Sequence, residues 1–285
     1  MAPPTGVISE GTVQRMRILV SNDDGIDAIG LHVLTAHLAD MGDVVIVAPD
    51  GEYSGSGASL GAIHSDRPAV HRSMVEGAGE AWAVSGPPAL CVLFARLGAF
   101  GPPPDIVVSG INPGSNVGRA IYHSGTVGAA LTARLGGING VAVSQAVTGF
   151  GVEGQAPEDA LDGQHWDAAG RVAALAAEAL LSAPPERAIA LNLNVPNRPF
   201  DELEGWQSSQ PGGSPPRSVA EARLVPRPGH EDSFWVDAKW SDAQELPEGT
   251  DGGAVQRGFV SSTVLGTLGR ADDEPPAVAA ALDRI

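Results

Sequence analysis

The feature that most constrains the fold is a short apolar segment that ends in two adjacent carboxylates and leads into a helical pattern. Residues 17–21 (Arg-Ile-Leu-Val-Ser) precede the turn 22–25 (Asn-Asp-Asp-Gly), and residues 28–41 carry leucines at helical spacing. A second apolar run, 44–48, follows this helix. The pattern predicts a β-α-β unit, in which a right-handed crossover makes the two strands parallel.

The rest of the chain repeats this alternation, which predicts the α/β fold class with a mostly parallel sheet. Further strands are expected at 68–72, 81–84, 105–109, 141–144, 189–195 and 258–263, and further helices at 87–98, 126–135, 166–181 and 277–282. Residues 51–61 and 110–116 are rich in Gly, Ser, Asn and Pro, and we expect loops there. Both segments follow predicted strands, which places them at the carboxyl edge of the sheet, where open α/β sheets bind ligands.

Changes of composition divide the chain into four parts. Residues 1–15 are expected to form a flexible tail, and residues 16–195 the α/β core. Residues 196–249 are rich in Pro, Gly, Ser and Trp without a helical pattern, and we interpret them as a projecting β-hairpin or arm outside the main sheet. Residues 250–285 are expected to hold the final strand and a C-terminal tail.

The charge of the chain excludes several classes of partner. Lys and Arg total 17 and Asp and Glu total 34, which gives a formal net charge of −17. Such a chain is expected to repel nucleic acids and anionic membrane surfaces. A ligand that carries phosphate must therefore be attracted locally, by a metal ion, by backbone N–H groups or by a helix N-terminus.

The single cysteine and the start of the chain bear on the cellular compartment. Cys91 lies in an apolar stretch and is expected to be a buried structural residue, and a lone cysteine cannot form an internal disulfide. We find no stretch of transmembrane length and no signal-peptide pattern in the first 14 residues. These features predict a cytoplasmic protein that does not dock on membranes.

Asp23 and Asp24 define the candidate site. Two carboxylates this close raise each other's pKa unless a positive charge lies between them, and a divalent cation is the simplest compensation. An isolated Asp-Asp-Gly is more often a turn or a helix cap, but here other strand-end loops bring hydroxyl and amide oxygens to the same edge. Residues 124–126 also begin a helix, where N–H groups and hydroxyls can bind an anion. This set suits Mg²⁺ or Mn²⁺ and a phosphate ester.

Four motifs occur in order along the chain. They are Asn-Asp-Asp-Gly at 22–25, Ala-Pro-Asp with a following Ser-Gly at 48–55, Val-Ser-Gly-Ile-Asn-Pro-Gly-Ser-Asn at 108–116 and Tyr-His-Ser-Gly-Thr-Val at 122–127. Together they resemble the SurE family of stationary-phase survival nucleotidases. A late Gly-Thr-Asp at 249–251 also matches, and several ordered motifs are far more specific than one Gly-rich loop.

The resemblance implies a Rossmann-like three-layer core and a metal-dependent 5′/3′-nucleotidase that hydrolyses nucleoside monophosphates with a metal-activated water. One Mg²⁺ or Mn²⁺ per subunit would be bound by Asp23, Asp24, Ser54 and Asn112. The implied phosphate pocket contains Asn22, Ser109, Gly110, Asn116, Ser124, Gly125 and Thr126. The implied catalytic residues are Asp23, Asp24, Asn112 and Thr126. Members of the family are also similar in forming homodimers or homotetramers through projecting hairpins and swapped arms, a role that suits 196–249.

Three positions depart from the family pattern. Leu90 stands where the family has an acidic residue near a helix start, and Arg119 lies near a point where members commonly carry an acidic residue. Residues 262–265 (Ser-Thr-Val-Leu) replace the usual Thr-Pro. None of these is a proposed metal ligand, so the departures bear on nucleotide preference and arm geometry rather than on the chemistry.

Other functions stay open at this point. An aspartyl-phosphate mechanism needs an Asp-x-Asp pattern after the first strand, whereas here Gly25 follows Asp24. A dinucleotide oxidoreductase needs Gly-x-Gly-x-x-Gly after the first strand, which this chain lacks. The stronger alternatives are a catalytically silent nucleotide- or metal-binding protein and a phosphomonoesterase for a non-nucleotide biosynthetic intermediate.

Several candidate residues have a simpler role when each is considered alone. Ser54 and Asn112 would ordinarily be loop and turn residues, and only their register with the other motifs favours a ligand role. His123 is more often a surface histidine than a general acid in such a position. His32 and His37 do not share a face of the first helix, so we do not expect them to bind a metal together.

Overall fold

The structure is a computed structural model that describes residues 15–61, 63, 67–147 and 163–267. The predicted helix at 277–282 and nearly all of the predicted N-terminal tail lie outside these residues. The described strands are β1 (Arg17–Ser21), β2 (Asp43–Pro49), β3 (Val70–Ser73), β4 (Glu80–Val84), β5 (Ile106–Pro113), β6 (Asn139–Gln145), β7 (Ala190–Val195), β8 (Trp206–Ser208), β9 (Val219–Pro226), β10 (Phe234–Trp240) and β11 (Val260–Leu265). The described helices are α1 (Ile29–Leu38), α2 (Pro88–Arg96), α3 (Gly125–Leu135), α4 (Trp166–Ser182) and α5 (Asp251–Gln256).

The main sheet has the strand order β3-β4-β2-β1-β5-β6-β7-β11-β8. The central strands from β4 to β7 are parallel, while β3 and β11 pair antiparallel with β4 and β7. The predicted α/β class with a mostly parallel sheet is therefore confirmed. The chain moves outward from β1 to β2 and β4, and then resumes at β5 on the other side of β1. This reversal creates a crevice at the carboxyl ends of β1 and β5, where doubly wound sheets bind ligands.

Helices cover both faces of the sheet because its central strands are apolar on both faces. Ile18 and Val20 of β1 belong to the core cluster beneath α1 and α4. Leu19, between them, belongs to the cluster beneath α2 and α3. Successive side chains of a strand point to opposite faces, so one apolar run serves both layers. The result is a three-layer arrangement in which Ser21, at the end of β1, lies beside Ser109 of β5.

Strand β5 is longer than the sequence predicts. The sequence indicates a strand that ends at Ser109 and a loop beyond it, but β5 continues to Pro113 and pairs again with β6 from Asn112. The register shifts between these two pairings. Gly110 has a φ of +134°, and a Cβ there would overlap the carbonyl oxygen of Val143. Residues that are typical of a loop therefore form an irregularity inside a buried strand.

The segment 196–249 lies only partly outside the main sheet. β8 belongs to this segment, yet it pairs in parallel with β11 at the sheet edge, so the interpretation of the whole segment as a separate arm is wrong for these residues. β9 and β10 do form a separate antiparallel hairpin, whose residues are almost all exposed. The sequence pattern did not predict α5, a short helix whose N-cap Thr250 accepts a hydrogen bond from the N–H of Gly253 at 3.1 Å.

Cys91 lies in α2 and is buried, as the apolar stretch around it predicts. Burial raises the pKa of its thiol, which favours the neutral form and disfavours a nucleophilic role. Among the helices of the described residues, none has the length and apolar character needed to cross a membrane.

Candidate active site

The candidate site lies at the carboxyl end of β1, beside Ser109 of β5. Asn22 and Asp23 follow β1 directly and are buried, and Asp24 is half-buried. Ser21, the last residue of β1, is in register with Ser109 of β5. Two motifs that are far apart in the sequence therefore meet at the point where the strand order reverses, as the carboxyl-edge argument predicts.

Asp23 is bound to the start of α3. Its Oδ1 accepts a hydrogen bond from the hydroxyl of Thr126, and the N–H groups of Gly125 and Thr126 also hydrogen-bond to its carboxylate. Burial raises the pKa of Asp23, and these hydrogen bonds oppose the increase because they favour the charged form. The main-chain oxygen of Asp23 accepts a hydrogen bond from the N–H of Tyr53 at 2.7 Å, which attaches the loop 51–61 to the site.

The N-terminus of α3 is occupied by groups of the protein itself. Ser124 is the N-cap, and its Oγ accepts a hydrogen bond from the N–H of Val127 at 3.1 Å. The sequence predicts an anion site at this helix start, and the anion found there is the carboxylate of Asp23, which the helix dipole stabilises. Gly125 and Thr126 therefore orient Asp23 while Ser124 caps the helix, and direct contact of these three residues with a phosphate stays a prediction.

The loop 51–61 places serine residues near the carboxylates. Ser54, the predicted metal ligand, is exposed. The Oγ of Ser56, which the sequence analysis did not single out, is buried and has no hydrogen-bond partner among the described residues. A Cβ on Gly125 would lie 2.8 Å from this Oγ and 2.8 Å from Oδ2 of Asp23, so both oxygens face a space that only glycine leaves open. The repeated Ser-Gly of this loop was the signal for a second candidate serine.

Asn112 is buried at the end of β5, in register with Ser144 of β6. Its Nδ2 donates a hydrogen bond to the carbonyl oxygen of Gly114 at 2.6 Å. Because the amide nitrogen is used in this way, Oδ1 is the atom of Asn112 that can bind a cation. The local geometry is compatible with the predicted ligand role, which stays a prediction.

Asn116 is held by polar side chains of β6 and β7. Its N–H donates to Oδ1 of Asn194 at 2.7 Å, and its Nδ2 donates to Oγ of Ser144 at 2.8 Å. Its carbonyl oxygen accepts hydrogen bonds from Nδ2 of Asn192 at 2.9 Å and of Asn194 at 3.2 Å. These buried contacts fix the loop after β5. The sequence shows the two asparagines as polar residues in an apolar strand, but it does not show what they bind.

Several buried oxygen atoms at this edge have no hydrogen-bond partner among the described residues. They are Ser21 Oγ, Asn22 Oδ1, Ser56 Oγ and Ser109 Oγ. Buried polar atoms are nearly always bonded to protein, water or a ligand. The Nδ2 of Asn22 donates to the carbonyl oxygen of Gly25 at 2.9 Å, which turns its Oδ1 away from that contact. Two carboxylates with neutral oxygens around them form the donor set of a hard divalent cation, so the residues present fit such an ion.

A cation at this site would have few charged ligands. Within the described ranges no group of three or more His, Cys, Asp or Glu side chains could hold a metal ion. The two histidines of α1 contact other groups. Nε2 of His32 lies 3.0 Å from the carbonyl oxygen of Ile26, and Nε2 of His37 lies 3.1 Å from Oδ1 of Asp167. His123 is exposed. A site with two carboxylates leaves coordination positions for water, which Mg²⁺ usually retains.

Asp251 is a buried residue whose contacts the sequence analysis did not predict. Its Oδ2 accepts a hydrogen bond from the N–H of Gly118 at 2.8 Å. Its Oδ1 accepts from the N–H groups of Gly212 at 2.9 Å and Gly252 at 2.8 Å. Asp251 therefore joins α5 to the segment that follows Asn116. The Gly-Thr-Asp motif marked this position, but two of the three hydrogen-bond donors, Gly118 and Gly212, come from distant parts of the chain.

Comparisons with known proteins agree with this geometry. The family model described as Survival protein SurE matches residues 18–215. The 5′-nucleotidase SurE of Laribacter hongkongensis is 38% identical over 250 residues, which are 88% of this chain and 92% of that protein. The 5′/3′-nucleotidase SurE of Erwinia tasmaniensis is 37% identical over 251 residues, which are 88% of this chain and 90% of that protein.

A solved structure supports the same relationship. The crystal structure of SurE protein from Aquifex aeolicus matches with a TM-score of 0.67 and 28% sequence identity. The match covers 94% of this chain and 98% of that one. Sequence, site and fold therefore lead to one conclusion: this chain belongs to the SurE family.

Proposed function

We propose that this chain is a phosphohydrolase that depends on a divalent cation and removes phosphate from nucleoside 5′- and 3′-monophosphates. The observation that carries the proposal is a cluster of oxygen atoms where the strand order reverses. It contains the carboxylates of Asp23 and Asp24. It also contains buried oxygens of Asn22, Ser56 and Ser109 that have no hydrogen-bond partner among the described residues. The names of the Laribacter and Erwinia relatives state a nucleotidase activity for those proteins, which supports the same activity here.

The proposed cofactor is one Mg²⁺ or Mn²⁺ per subunit. Asp23 and Asp24 would hold it by charge, and Ser54 and Asn112 by neutral oxygens. When bound, such a cation would supply Lewis-acid chemistry: it would polarise a phosphoryl oxygen and lower the pKa of a bound water molecule. Ser56 is a further candidate for this set, because its Oγ and Oδ2 of Asp23 face the same space beside Gly125.

The residues around the carboxylates orient the reacting groups. The hydroxyl of Thr126 and the N–H groups at the start of α3 hold the Asp23 carboxylate in one position and favour its charged form. The hydroxyl of Ser109 can donate a hydrogen bond to a phosphate oxygen, whereas the free Oδ1 of Asn22 is an acceptor that suits the cation. The contacts of Asn116 fix the loop that carries it. Because these groups are placed before the substrate binds, little reorganisation is required in the transition state.

A phosphate-release screen tests the proposal. Nucleoside 5′- and 3′-monophosphates and generic phosphomonoesters should be incubated with Mg²⁺, with Mn²⁺ or with excess EDTA. We expect release from the nucleotides with either cation, loss of nearly all release in EDTA, and recovery when the cation is restored.

The other results of this screen are equally informative. Full activity in excess EDTA would contradict the metal site. Release only from non-nucleotide esters would favour the biosynthetic phosphomonoesterase, and no release from any ester would favour a binding protein without catalysis.

We also propose that the chain forms a homodimer or homotetramer through the β9–β10 hairpin. The side chains of Leu224, Phe234, Trp235 and Val236 on this hairpin are more than half exposed. A two-stranded sheet is marginally stable alone, and exposed apolar side chains of this kind favour a partner surface. A second copy of the chain gives the simplest closed assembly.

We also propose a cytoplasmic location, because a chain with a single cysteine suits a reducing compartment.

Polar substitutions on the hairpin should reduce the oligomeric state. Leu224 and Val236 are register partners, and the double variant Leu224→Ser, Val236→Ser removes apolar surface from the hairpin. Light scattering at micromolar concentration should give at least twice the 29.0 kDa chain mass for the wild type and a lower mass for this variant. The control, Glu221→Ser with Lys239→Ser, changes an exposed cross-strand pair and should keep the wild-type mass. A monomeric wild-type protein would refute the assignment of the hairpin.

A further inference from the structure

A cavity of about 490 Å³ lies beside the candidate active site, at the carboxyl edge of the sheet. Its inner wall includes Ser115 and Val117, which flank Asn116, and Val147, which lies just beyond β6. Its outer wall comes from residues 216–217, at the base of the hairpin, and from α5. Cavities of this size at this edge of an open α/β sheet commonly bind small ligands.

Hydrogen bonds between distant segments organise the outer wall of the cavity. The carbonyl oxygen of Pro216 accepts from the N–H of Gln244 at 3.0 Å. The carbonyl oxygen of Gln244 accepts from Nε2 of Gln256 at 2.9 Å, and Oε1 of Gln256 accepts from the N–H of Leu246 at 2.9 Å. The segment that bears Arg217 is therefore attached to α5.

The lining combines apolar side chains with two arginines. Arg198 forms a salt bridge in which its Nη1 lies 3.5 Å from Oε1 of Glu204. The Nε of Arg217 is buried and has no hydrogen-bond partner among the described residues. Arg217 lines the cavity, and because a guanidinium offers donors only, a ligand that its terminal nitrogens reach must present acceptor atoms. The valine and proline side chains around it suit the flat apolar faces of the same ligand.

Resting on the proposed nucleotidase function, we infer that this cavity holds the base of the nucleotide and that Arg217 gives preference to 6-oxopurine nucleotides over adenine nucleotides. Guanine presents two neighbouring acceptors, O6 and N7, and an arginine can donate to both. Adenine presents N7 beside an amino group, which is itself a donor and faces the guanidinium unfavourably. Arg217 is thus a specificity-determining residue that does not touch the phosphate.

The test compares GMP, IMP, AMP and ribose 5-phosphate as substrates of the wild type, Arg217→Met and Arg187→Met. Arg187 is exposed in the connection between α4 and β7, so Arg187→Met is the control and should leave every kcat/KM unchanged. For Arg217→Met we expect kcat/KM to fall about 10- to 100-fold with GMP and IMP, the loss of one or two charge-assisted hydrogen bonds. Ribose 5-phosphate, which has no base, should be hydrolysed by this variant at the wild-type rate.

A second variant and a binding measurement keep the test independent of folding and of catalysis. Arg217→Lys retains the charge without the planar fork, and it should recover only part of the GMP preference. In equilibrium dialysis without metal, the wild type should bind guanosine more tightly than adenosine, and Arg217→Met should remove this difference.

Two results would overturn the inference. One is an equal loss of kcat/KM for all four substrates, and the other is an unchanged preference in both Arg217 variants. Guanosine binding that depends on Arg217, in a protein that hydrolyses none of the esters, would refute the proposed nucleotidase function while it supports the base site.

Discussion

Replacement of Asp24 by asparagine should lower kcat/KM for nucleotide hydrolysis by about 10³-fold and leave the fold intact. Asp24 is half-buried beside Asp23, and an amide of the same shape fits the same space. The change removes one of the two negative charges that the cation requires. Steady-state kinetics with Mg²⁺ and with Mn²⁺ measure the loss, and Mn²⁺ binding by calorimetry should weaken in parallel.

Asp50→Asn is the matched control for this variant. Asp50 follows β2 at the same edge of the sheet, but it is exposed and accepts a hydrogen bond from the hydroxyl of Ser85. Because an exposed charge is screened by water and salt, its removal should change kcat/KM by less than about twofold. If Asp24→Asn kept the wild-type affinity for Mn²⁺ and the wild-type turnover, Asp24 would not be a metal ligand.

Thr126→Val should lower kcat by about 10- to 100-fold, because it removes a hydrogen bond to a charged group worth about 1.5–3 kcal/mol. The structure supplies the physical reason: the hydroxyl of Thr126 donates to Oδ1 of Asp23, so its loss leaves a buried carboxylate less well held. We also expect this variant to need a higher cation concentration than the wild type for half-maximal activity. Both quantities come from rates measured over a range of Mg²⁺ concentrations.

Two controls separate this effect from a general weakening of α3. Thr126→Ser retains the hydroxyl and should recover most of the activity. Thr132→Val also removes a buried hydroxyl from α3, one that donates to the carbonyl oxygen of Gly128 at 2.8 Å, and it should leave kcat and the Mg²⁺ requirement near wild type. Wild-type kinetics in Thr126→Val would show that this residue serves only the start of the helix.

Much of the fold could be predicted from local patterns. β1, α1 and β2 are recognisable because a buried parallel strand is a short apolar run and α1 carries leucines at helical spacing. β8 has only three residues and α5 only six, so neither contains enough of a period to be detected. The continuation of β5 beyond Ser109 depends on its pairing with β6, and its Gly, Asn and Pro residues indicate a loop when they are considered alone.

The candidate site divides in a similar way. The pair Asp23–Asp24 was identified from its place after an apolar run, which is local information. Ser56, rather than the exposed Ser54, has the buried hydroxyl beside Gly125, and this depends on how the loop 51–61 packs on α3. The predicted anion site at 124–126 proved to bind the carboxylate of Asp23, because β1 and α3 meet in space although they are far apart in the sequence.

The sequence by itself determined the fold class, the strand ends that carry polar residues and the resemblance to the SurE family. Burial and side-chain periodicity follow from neighbouring residues, so these properties can be inferred from short segments. Only the tertiary structure decided which groups face one another: the contact of Thr126 with Asp23, the hold of Asn194 on Asn116, and the place of Arg217 in the cavity. The two hydrogen bonds join residues 103 and 78 positions apart, and no local pattern specifies a partner at that distance.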